Sequence, residues 1–348
     1  MKFILTTLFV VLAMTLYAQE FQEKYYKHLV FRETPYSATI GRIPISKERA
    51  MKENHYKMSY DNRGRLTLIE YRIGNTLISR RRVGILDGFR NIHSRTKIRY
   101  EDNKEIRTFY NPKGKQCRNS MNVYEEVYTY NDLGQRTGVH FYDEEGILVN
   151  NTWNIATYEW EHVDDHTIVE KRKDTKGTYV TMRPYYHFLI TLYKFNKEGI
   201  LQSMNHINDK RQLINDFNGE NGIAIDKPVY DEALNLTGFT FYNANNEAVI
   251  GSFLACAGGV VTYDTNGNCI KYATIDLKGR IMLDDRGRAY DTYTFNKQGS
   301  LTEIAHYGIN NEFVEIRGAT RIVFEYDKDD PSKFIKTRHF VIENTNKQ

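Results

Sequence analysis

The feature that most constrains this chain is a short phrase that recurs along its length. The phrase runs aromatic or apolar residue, Asp or Asn, two variable residues, Gly or Asn, one variable residue, apolar residue. Tyr60–Leu66 is an early copy and Phe295–Leu301 a late one. A fixed-period repeat predicts architecture more firmly than an isolated motif does. The chain should therefore be an array of similar units.

An aromatic residue before the first turn marks each unit. The markers recur about every 32 residues toward the C-terminus, which gives about nine units. They are Tyr60, Tyr100, Tyr130, a degenerate copy near Trp160, Phe195, Tyr230, Tyr263, Phe295 and Tyr326. A second copy of the phrase follows within most units, as in Tyr110–Gly114, Tyr142–Gly146 and Ile275–Gly279. Each unit is therefore expected to contain two turns.

The residue types in the phrase are those of a hairpin turn. Asp or Asn at the first turn position accepts hydrogen bonds from backbone amides two residues on, and Gly at the fourth takes a positive φ. Such a turn joins antiparallel strands, often with a bulge at the glycine. We assign this structural role to Asp61, Gly64, Gly134, Asp143, Gly146, Asn196, Gly199, Asp264, Gly267, Asp276, Gly279, Asn296 and Gly299.

The segments between turns have the two-residue period of strands. Ile322, Phe324 and Tyr326 would share one face. The 26 Tyr and 18 Phe against only 6 Pro suit a pleated, half-buried surface. A third strand in each unit should begin near Gly222, Gly258, Gly287 and Gly318. The predicted fold is all-β, an elongated antiparallel repeat sheet built as a β-hairpin meander or a curled, solenoid-like array.

The ends of the chain differ from the array. Residues 1–19 are predicted to be a signal peptide, because their apolar run is too short to span a bilayer comfortably; a retained anchor is the alternative. Residues 20–59 form a lead-in that contains one short helix, Ser46–Lys57, opened by a Ser cap. The array covers 60–342, and residues 343–348 should fray. We expect a periplasmic, cell-surface or secreted protein without a transmembrane segment after signal removal.

Three cysteines are too few for a disulfide scaffold, and their odd number leaves at least one unpaired within the chain. Cys117 and Cys269 occupy or adjoin apolar slots of the repeat, so packing is the expected role for both. A disulfide between Cys256 and Cys269 stays open as an alternative in an oxidising compartment.

The copies Tyr60–Leu66 and Tyr263–Cys269 resemble the tyrosine-aspartate (YD) repeats of Rhs-type bacterial proteins. The shorter half-units resemble the MORN-variant repeats of bacterial exported proteins. The resemblance covers roughly residues 60–340, and it implies extended β-sheet shells or surface filaments that present or enclose other polypeptides. This chain is shorter and shows no C-terminal toxin or self-cleaving core motif. The resemblance therefore implies a small exported binding or scaffold module rather than a closed shell around cargo.

Signatures of catalysis and cofactor binding are absent from the sequence. It contains no P-loop, Gly-x-Ser-x-Gly, Cys-x-x-Cys or His-Glu-x-x-His. His162–His166 places two imidazoles four residues apart, but it falls at a turn, so a solvated turn is preferred to a metal site. Asp264–Asn268 is similar to a calcium loop yet lacks the Gly and Glu that such a loop needs. We expect no enzyme activity, no cofactor and no metal.

One stretch is strongly basic. Residues 72–99 hold eight Arg and Lys against Asp87 alone, a local charge of +7 (eight minus one), although the whole chain is only +4. Arginine forks in such a patch would suit an acidic polysaccharide, lipid headgroups or an acidic protein; a solvated sheet face is the alternative. Nucleic acid is not an expected partner. The basic binding candidates are Arg80, Arg81, Arg82, Arg90, Arg95, Lys97 and Arg99.

The aromatic binding candidates are Tyr71, Tyr110, Tyr142 and Tyr242, which would stack on sugars or peptides. The sequence thus favours an exported, non-enzymatic module that holds a protein or polysaccharide of the cell envelope; its oligomeric state stays open. The alternative is a hydrolase that acts on an envelope or other polysaccharide, with carboxylates such as Asp143, Glu144 and Asp164 along a groove.

Overall fold

The computed structural model describes residues 22–81, 93–183, 186–216, 222–251, 255–330 and 332–342. Within these ranges, 21 strands form one open sheet in which every pairing is antiparallel. The predicted all-β class is therefore confirmed. No helix in the described ranges has the length and apolarity needed to cross a membrane. The predicted signal peptide (1–19) and frayed tail (343–348) lie outside the described residues.

The lead-in region contributes strands to the same sheet. β1 pairs with β2 on one side and with β3 on the other, and β3 continues into β4. A two-residue strand, β5, pairs with the end of β4. The bounds are β1 Gln22–Leu29, β2 Gly41–Pro44, β3 Asn54–Tyr60, β4 Leu66–Ile73 and β5 Thr76–Leu77.

The predicted helix Ser46–Lys57 is wrong beyond its first turn. Ser46 caps a single turn, α1 (Lys47–Ala50), by accepting a hydrogen bond from the Arg49 amide at 3.2 Å. From Asn54 onward the chain is β3, whose Tyr56 and Met58 alternate into the core and are 3% and 0% exposed. Pairing with β1 and β4 on both sides overrides the local helix signal.

Nine hairpins follow one another in the described residues, and β3/β4 is the first. A marker residue ends or closely precedes the end of the first strand of each hairpin. The predicted third strand of a unit is the first strand of the next hairpin. The remaining hairpins are β6/β7 (Arg95–Glu101, Lys104–Tyr110), β8/β9 (Glu125–Tyr130, Arg136–Tyr142), β10/β11 (Thr157–Asp164, Thr167–Lys173), β12/β13 (Ile190–Phe195, Leu201–His206), β14/β15 (Ile225–Tyr230, Leu236–Tyr242), β16/β17 (Gly258–Tyr263, Cys269–Ile275), β18/β19 (Tyr290–Phe295, Leu301–Tyr307) and β20/β21 (Arg321–Tyr326, Phe334–Phe340).

The first hairpin shows how the phrase makes a turn. Asp61 Oδ1 accepts hydrogen bonds from the amides of Arg63 (3.0 Å) and Arg65 (2.9 Å). Gly64 has φ +75°, and the register shifts between Ser59 and Tyr60, which is a bulge. The same side-chain bonds recur at Asp143, Asn196, Asp264, Asp276 and Asn296. The positive φ recurs at Gly134, Gly146, Gly199, Gly267, Gly279 and Gly299.

The two turns of a unit lie on opposite edges of the sheet, because successive strands run in opposite directions. We call these the first-turn edge and the second-turn edge. After each second turn the chain folds back over the hairpin through a single bridge, such as Tyr142 with Leu148. It then crosses to the next hairpin, so a unit adds two full strands.

The sheet is curled, with a concave inner face and a convex outer face. In a flat sheet with strands about 4.8 Å apart, β3 and the turn after β18 would lie roughly 65 Å from each other. Instead, the Asn54 amide donates to the carbonyl of Gln298 at 2.7 Å. Side chains that alternate onto the inner face, such as Tyr128, Phe141 and Tyr193, are fully buried and form the main core.

Candidate functional site

The inner face, where a groove-type site would lie, is occupied by the chain itself. Residues 30–40, which we call the crossing segment, connect β1 to β2 and lie against hairpins distant in sequence. The Tyr36 ring packs against Trp160 and Phe195, with ring centroids 5.4 and 5.5 Å apart. Arg136 donates to the Tyr36 carbonyl at 2.8 Å, and the Thr34 hydroxyl donates to Glu170. The concave face is therefore covered by a built-in strap.

Buried ion pairs fasten the inner face beneath the crossing segment. Glu105 is 2% exposed and pairs with Arg107 at 2.5 Å and with Arg136 at 2.9 Å. Burial alone would raise the pKa of Glu105, but the two arginines outweigh it and the pKa falls. On the neighbouring strand, burial raises the pKa of Glu126.

Two carboxyl groups with pKa values pushed apart are a pattern typical of acid–base catalysis. Here Glu105 and Glu126 are 2% and 1% exposed. Glu126 accepts hydrogen bonds from Tyr128 and Asn119, both at 3.0 Å. A polymer has no access to carboxyls buried to this degree, so the arrangement acts as a structural network.

The carboxylates proposed for a hydrolase do not meet. Asp143 lies in a second turn and accepts from the Ile147 amide at 2.8 Å, whereas Asp164 lies at a first turn and accepts from the His166 amide at 2.8 Å. These positions are on opposite edges of the sheet. Glu144, beside Asp143, pairs with Arg118 at 2.6 Å. Nothing in this placement supports the hydrolase alternative.

The sequence-level metal candidates have other contacts. His162 Nε2 lies 2.9 Å from the carbonyl of Arg136, while His166 lies at the turn. Asp264 accepts the amides of Asn266 and Asn268, both at 2.9 Å, as the repeat turn requires. Across the described ranges, no group of three or more His, Cys, Asp or Glu could hold a metal ion.

The three cysteines are free thiols in the structure. Cys256 and Cys269 are 0% and 6% exposed, and each packs in a hydrophobic cluster. The two cysteines do not form the disulfide that the sequence left open as an alternative. Burial raises the pKa of Cys256 to about 11 and that of Cys269 to about 12, so both thiols stay protonated at neutral pH.

The described part of the basic stretch does not form one patch. Arg80 and Arg81 line a cavity, whereas Arg95, Lys97 and Arg99 lie on the outer face of β6. Arg95 pairs with Glu70 at 2.6 Å, and Arg99 pairs with Glu101 at 2.8 Å. Acidic residues from outside the basic stretch thus pair with two of its outer-face arginines. Arg82 and Arg90 lie outside the described residues.

The aromatic candidates also divide between the two faces. Tyr71 is on the inner face, 8% exposed, and its hydroxyl accepts from Asn54 at 3.0 Å, so it is not a surface aromatic. Tyr110, Tyr142 and Tyr242 lie half-buried on the outer face beside the second-turn edge. The structure therefore brings these three into one line and excludes Tyr71 from it.

Lysines accompany these outer-face tyrosines. The Lys97 Nζ lies 4.7 Å from the Tyr110 ring centroid, and the Lys227 Nζ lies 4.2 Å from that of Tyr242. Cation–π contacts of this kind stabilise exposed pairs by about 0.5–1 kcal/mol. The pairing brings an ammonium and a ring together at one edge.

Sequence reasoning missed three further members of this line. The Lys173 Nζ lies 5.1 Å from the ring centroid of Tyr179, and the Lys271 Nζ lies 3.9 Å from that of Tyr290. The Tyr307 ring stacks on the Tyr290 ring, with centroids 4.9 Å apart. A signal for Tyr179 was present, because it fills the apolar slot after the second turn of its unit. We call the whole set the outer tyrosine row: Tyr110, Tyr142, Tyr179, Tyr242, Tyr290 and Tyr307.

No protein-family model and no curated protein matches this chain. Among solved structures, a porin-like protein from Bacteroides uniformis is 13% identical, with 85% of this chain and 93% of that chain covered and a TM-score of 0.27. A chain of the Photorhabdus luminescens Tc holotoxin pore is 13% identical, with 92% and 15% covered and a TM-score of 0.23. A chain of a TcdB2–TccC3 complex is 10% identical, with 91% and 21% covered and a TM-score of 0.17.

This chain thus spans less than a quarter of either toxin chain. TM-scores this low establish no family and support no argument about function. The resemblance to YD repeats stays an expectation from the sequence.

Proposed function

We propose that this protein is an exported, non-enzymatic binding module that holds an extended acidic polysaccharide of the cell envelope along its outer tyrosine row. The observation that supports this most directly is the recurrence of a tyrosine with a lysine over its ring on one face and one edge of several hairpins. Export is inferred from the predicted signal peptide at residues 1–19.

The geometry of the row suits a linear polymer. Adjacent hairpins are two strands apart, which is about 10 Å at ordinary strand spacing. This is close to the length of a disaccharide unit in an extended polysaccharide. Aromatic rings offer flat apolar faces, while the lysine ammonium groups offer charge to carboxylate or sulfate substituents. The row is interrupted at Ile207 and Ile275, which take the same position in their units.

The filled inner face supports a binding role over a catalytic one. A reaction on a polymer needs a concave site with accessible acid and base groups. In the described residues the concave face is covered by the crossing segment, and Glu105 and Glu126 beneath it are buried. The outer face is the surface that remains for a large partner.

The test is equilibrium binding of the purified protein to a panel of acidic and neutral envelope polysaccharides. We expect the triple variant Tyr110→Ala/Tyr142→Ala/Tyr242→Ala to lose at least about tenfold in affinity, or about 1.4 kcal/mol. The matched control is Leu133→Ala/Val229→Ala, which removes two exposed apolar side chains at the first-turn edge, the edge opposite the row. The control should bind as the unaltered protein does. Unchanged binding by the triple variant, or failure of the unaltered protein to bind any polymer, would rule the proposal out.

A further inference from the structure

A cavity of about 120 Å³ lies where the two ends of the curled sheet approach each other around β1 and β2. Its walls include Arg42 of β2, Tyr71 of β4, Tyr263 of β16 and Tyr326 of β20. A single water needs only about 10–15 Å³. The cavity therefore has room for several waters or for one small molecule.

Among the described residues, the charged side chains of the cavity wall are all basic. Arg32, Arg42, Arg80 and Arg81 line it, and none of the described residues that line it is Asp or Glu. His28 also lines it, and burial together with the nearby arginines keeps its pKa well below the usual value, so its imidazole is neutral. Arg32 and Arg80 have contacts elsewhere, so Arg42 and Arg81 are the cations that this wall offers to a ligand.

Three other arginines of the inner face, buried or nearly so, have a carboxylate in contact. Arg107 pairs with Glu105 at 2.5 Å, Arg172 with Glu170 at 2.9 Å, and Arg288 with Asp284 at 2.8 Å. Burying a charge is costly unless a counter-charge and hydrogen bonds compensate for it. The sequence supplies that counter-charge at those sites.

Arg42 has no such carboxylate contact among the described residues. It donates to the carbonyl oxygens of Leu29 and Gly267, both at 3.2 Å, and to the amide oxygen of Asn235. In the described part of the chain, all of its hydrogen-bond acceptors are neutral oxygens. Burial lowers the pKa of Arg42 to about 10, so it remains a cation at neutral pH.

Arg81 has a fixed orientation and an unused donor. Its guanidinium carbon lies 3.4 Å from the ring centroid of Phe334 in β21, so the ring holds the plane of the group. Its Nε is buried, and within the described ranges that atom has no hydrogen-bond acceptor. A buried N–H without an acceptor costs about 1–3 kcal/mol.

We propose that this cavity binds a small oxyanion of the phosphate or sulfate class, held by Arg42 and Arg81. Tetrahedral oxyanions present several acceptors at once, which matches the donor fork of arginine. The anion supplies a counter-charge that Arg42 and Arg81 do not find among the described lining residues, and it links β2, through Arg42, to the segment after β5 that carries Arg81. This site is separate from the outer tyrosine row and does not depend on it.

The test is calorimetric titration of the full chain with inorganic phosphate and with sulfate, against chloride at equal ionic strength, together with thermal unfolding in each salt. We expect one site per chain and a rise in Tm with phosphate or sulfate beyond that with chloride. Glucose 6-phosphate is titrated in parallel as an example of a phosphate group on a larger molecule. Binding of inorganic phosphate alone identifies the free anion as the ligand, whereas binding of both identifies a phosphate group on a larger molecule.

Arg81→Gln and Arg42→Gln should each weaken anion binding at least about tenfold. Arg99→Gln on the outer face is the matched control and should bind the anion as the unaltered protein does. If Arg42→Gln fails to fold, Arg81→Gln and the titration of the unaltered protein still decide the question. The proposal is overturned if the unaltered protein shows neither binding nor a Tm rise beyond that in chloride. It is also overturned if Arg81→Gln binds with unchanged affinity.

Discussion

At the residue scale, Asp226 shows how a group on the inner face is shaped by its surroundings. It lies on β14, is 6% exposed, and accepts a hydrogen bond from the Tyr186 hydroxyl at 2.7 Å. Burial raises its pKa to about 6, although that hydrogen bond and the nearby Arg183 act in the opposite direction. The proton on Asp226 is therefore held more tightly in the folded chain than in the unfolded one.

This pKa predicts a pH effect on stability. Because the pKa of Asp226 is higher in the folded chain, its protonated carboxyl group adds to the free energy of unfolding. This stabilisation is complete below about pH 4 and is lost as pH rises through about 6. Asp226→Asn keeps the acceptor for Tyr186 but cannot ionise. Relative to this variant, the unaltered protein should lose up to about 3 kcal/mol of unfolding free energy between pH 4 and 7.

Urea unfolding at four pH values measures this difference. The control is Asp209→Asn, because the side chain of Asp209 is 85% exposed. Its curve should stay parallel to that of the unaltered protein. Parallel curves for Asp226→Asn would show that burial does not perturb this carboxyl group.

At the element scale, the hairpin is the unit that the sequence specifies best. The phrase places Asp61 and Gly64 where the structure has the side-chain acceptor and the positive φ. It could not specify which face becomes concave. Tyr71 and Tyr110 both end or nearly end a strand, yet Tyr71 pairs with Tyr56 on the inner face and Tyr110 with Arg95 on the outer face. The two-residue alternation of a strand shows which side chains share a face of the sheet. The curling of the sheet decides which of the two faces is buried.

Turn glycines and strand glycines should respond differently to substitution. Gly279 has φ +75°, and no atom lies within 4 Å of the position that a Cβ would take, so only backbone strain opposes a side chain there. Gly279→Ala should cost about 1 kcal/mol of unfolding free energy. Gly279→Asn should cost less, because Asn tolerates this conformation and takes it at Asn154 and Asn246.

Gly258 offers the contrast in β16. A Cβ there would lie 2.1 Å from the carbonyl oxygen of Phe239 on the adjacent strand. Gly258→Ala should therefore destabilise the protein by more than about 3 kcal/mol, since the sheet backbone must shift. Denaturant unfolding of the three variants measures how much unfolding free energy each one loses. An equal cost for Gly258→Ala and Gly279→Ala would contradict this account.

At the scale of the whole molecule, the crossing segment packs across the inner face of the curled sheet. The repeat predicts the sheet but says nothing of where residues 30–40 lie, because they contain no copy of the phrase. Their partners, such as Trp160, Phe195 and Glu170, are more than a hundred residues away in sequence. Contacts of this kind depend on tertiary packing, and so does the arginine-lined cavity. The outer tyrosine row was half visible in the sequence, because Tyr110, Tyr142 and Tyr242 share one repeat position.

The sheet curls until its N-terminal region meets the late hairpins, and a distance measured across this junction shows whether it does so in solution. Arg49 donates to the side chain of Asn266 at 2.7 Å across this junction. Spin labels are attached at Arg49→Cys and Asn266→Cys in a protein whose three native cysteines are replaced by alanine. Pulsed electron paramagnetic resonance then measures the distance between the two labels. The curled structure predicts a single short distance of roughly 20–25 Å including the label linkers, against roughly 55 Å for a flat sheet of the same strands. A distribution centred near the longer distance would contradict the account.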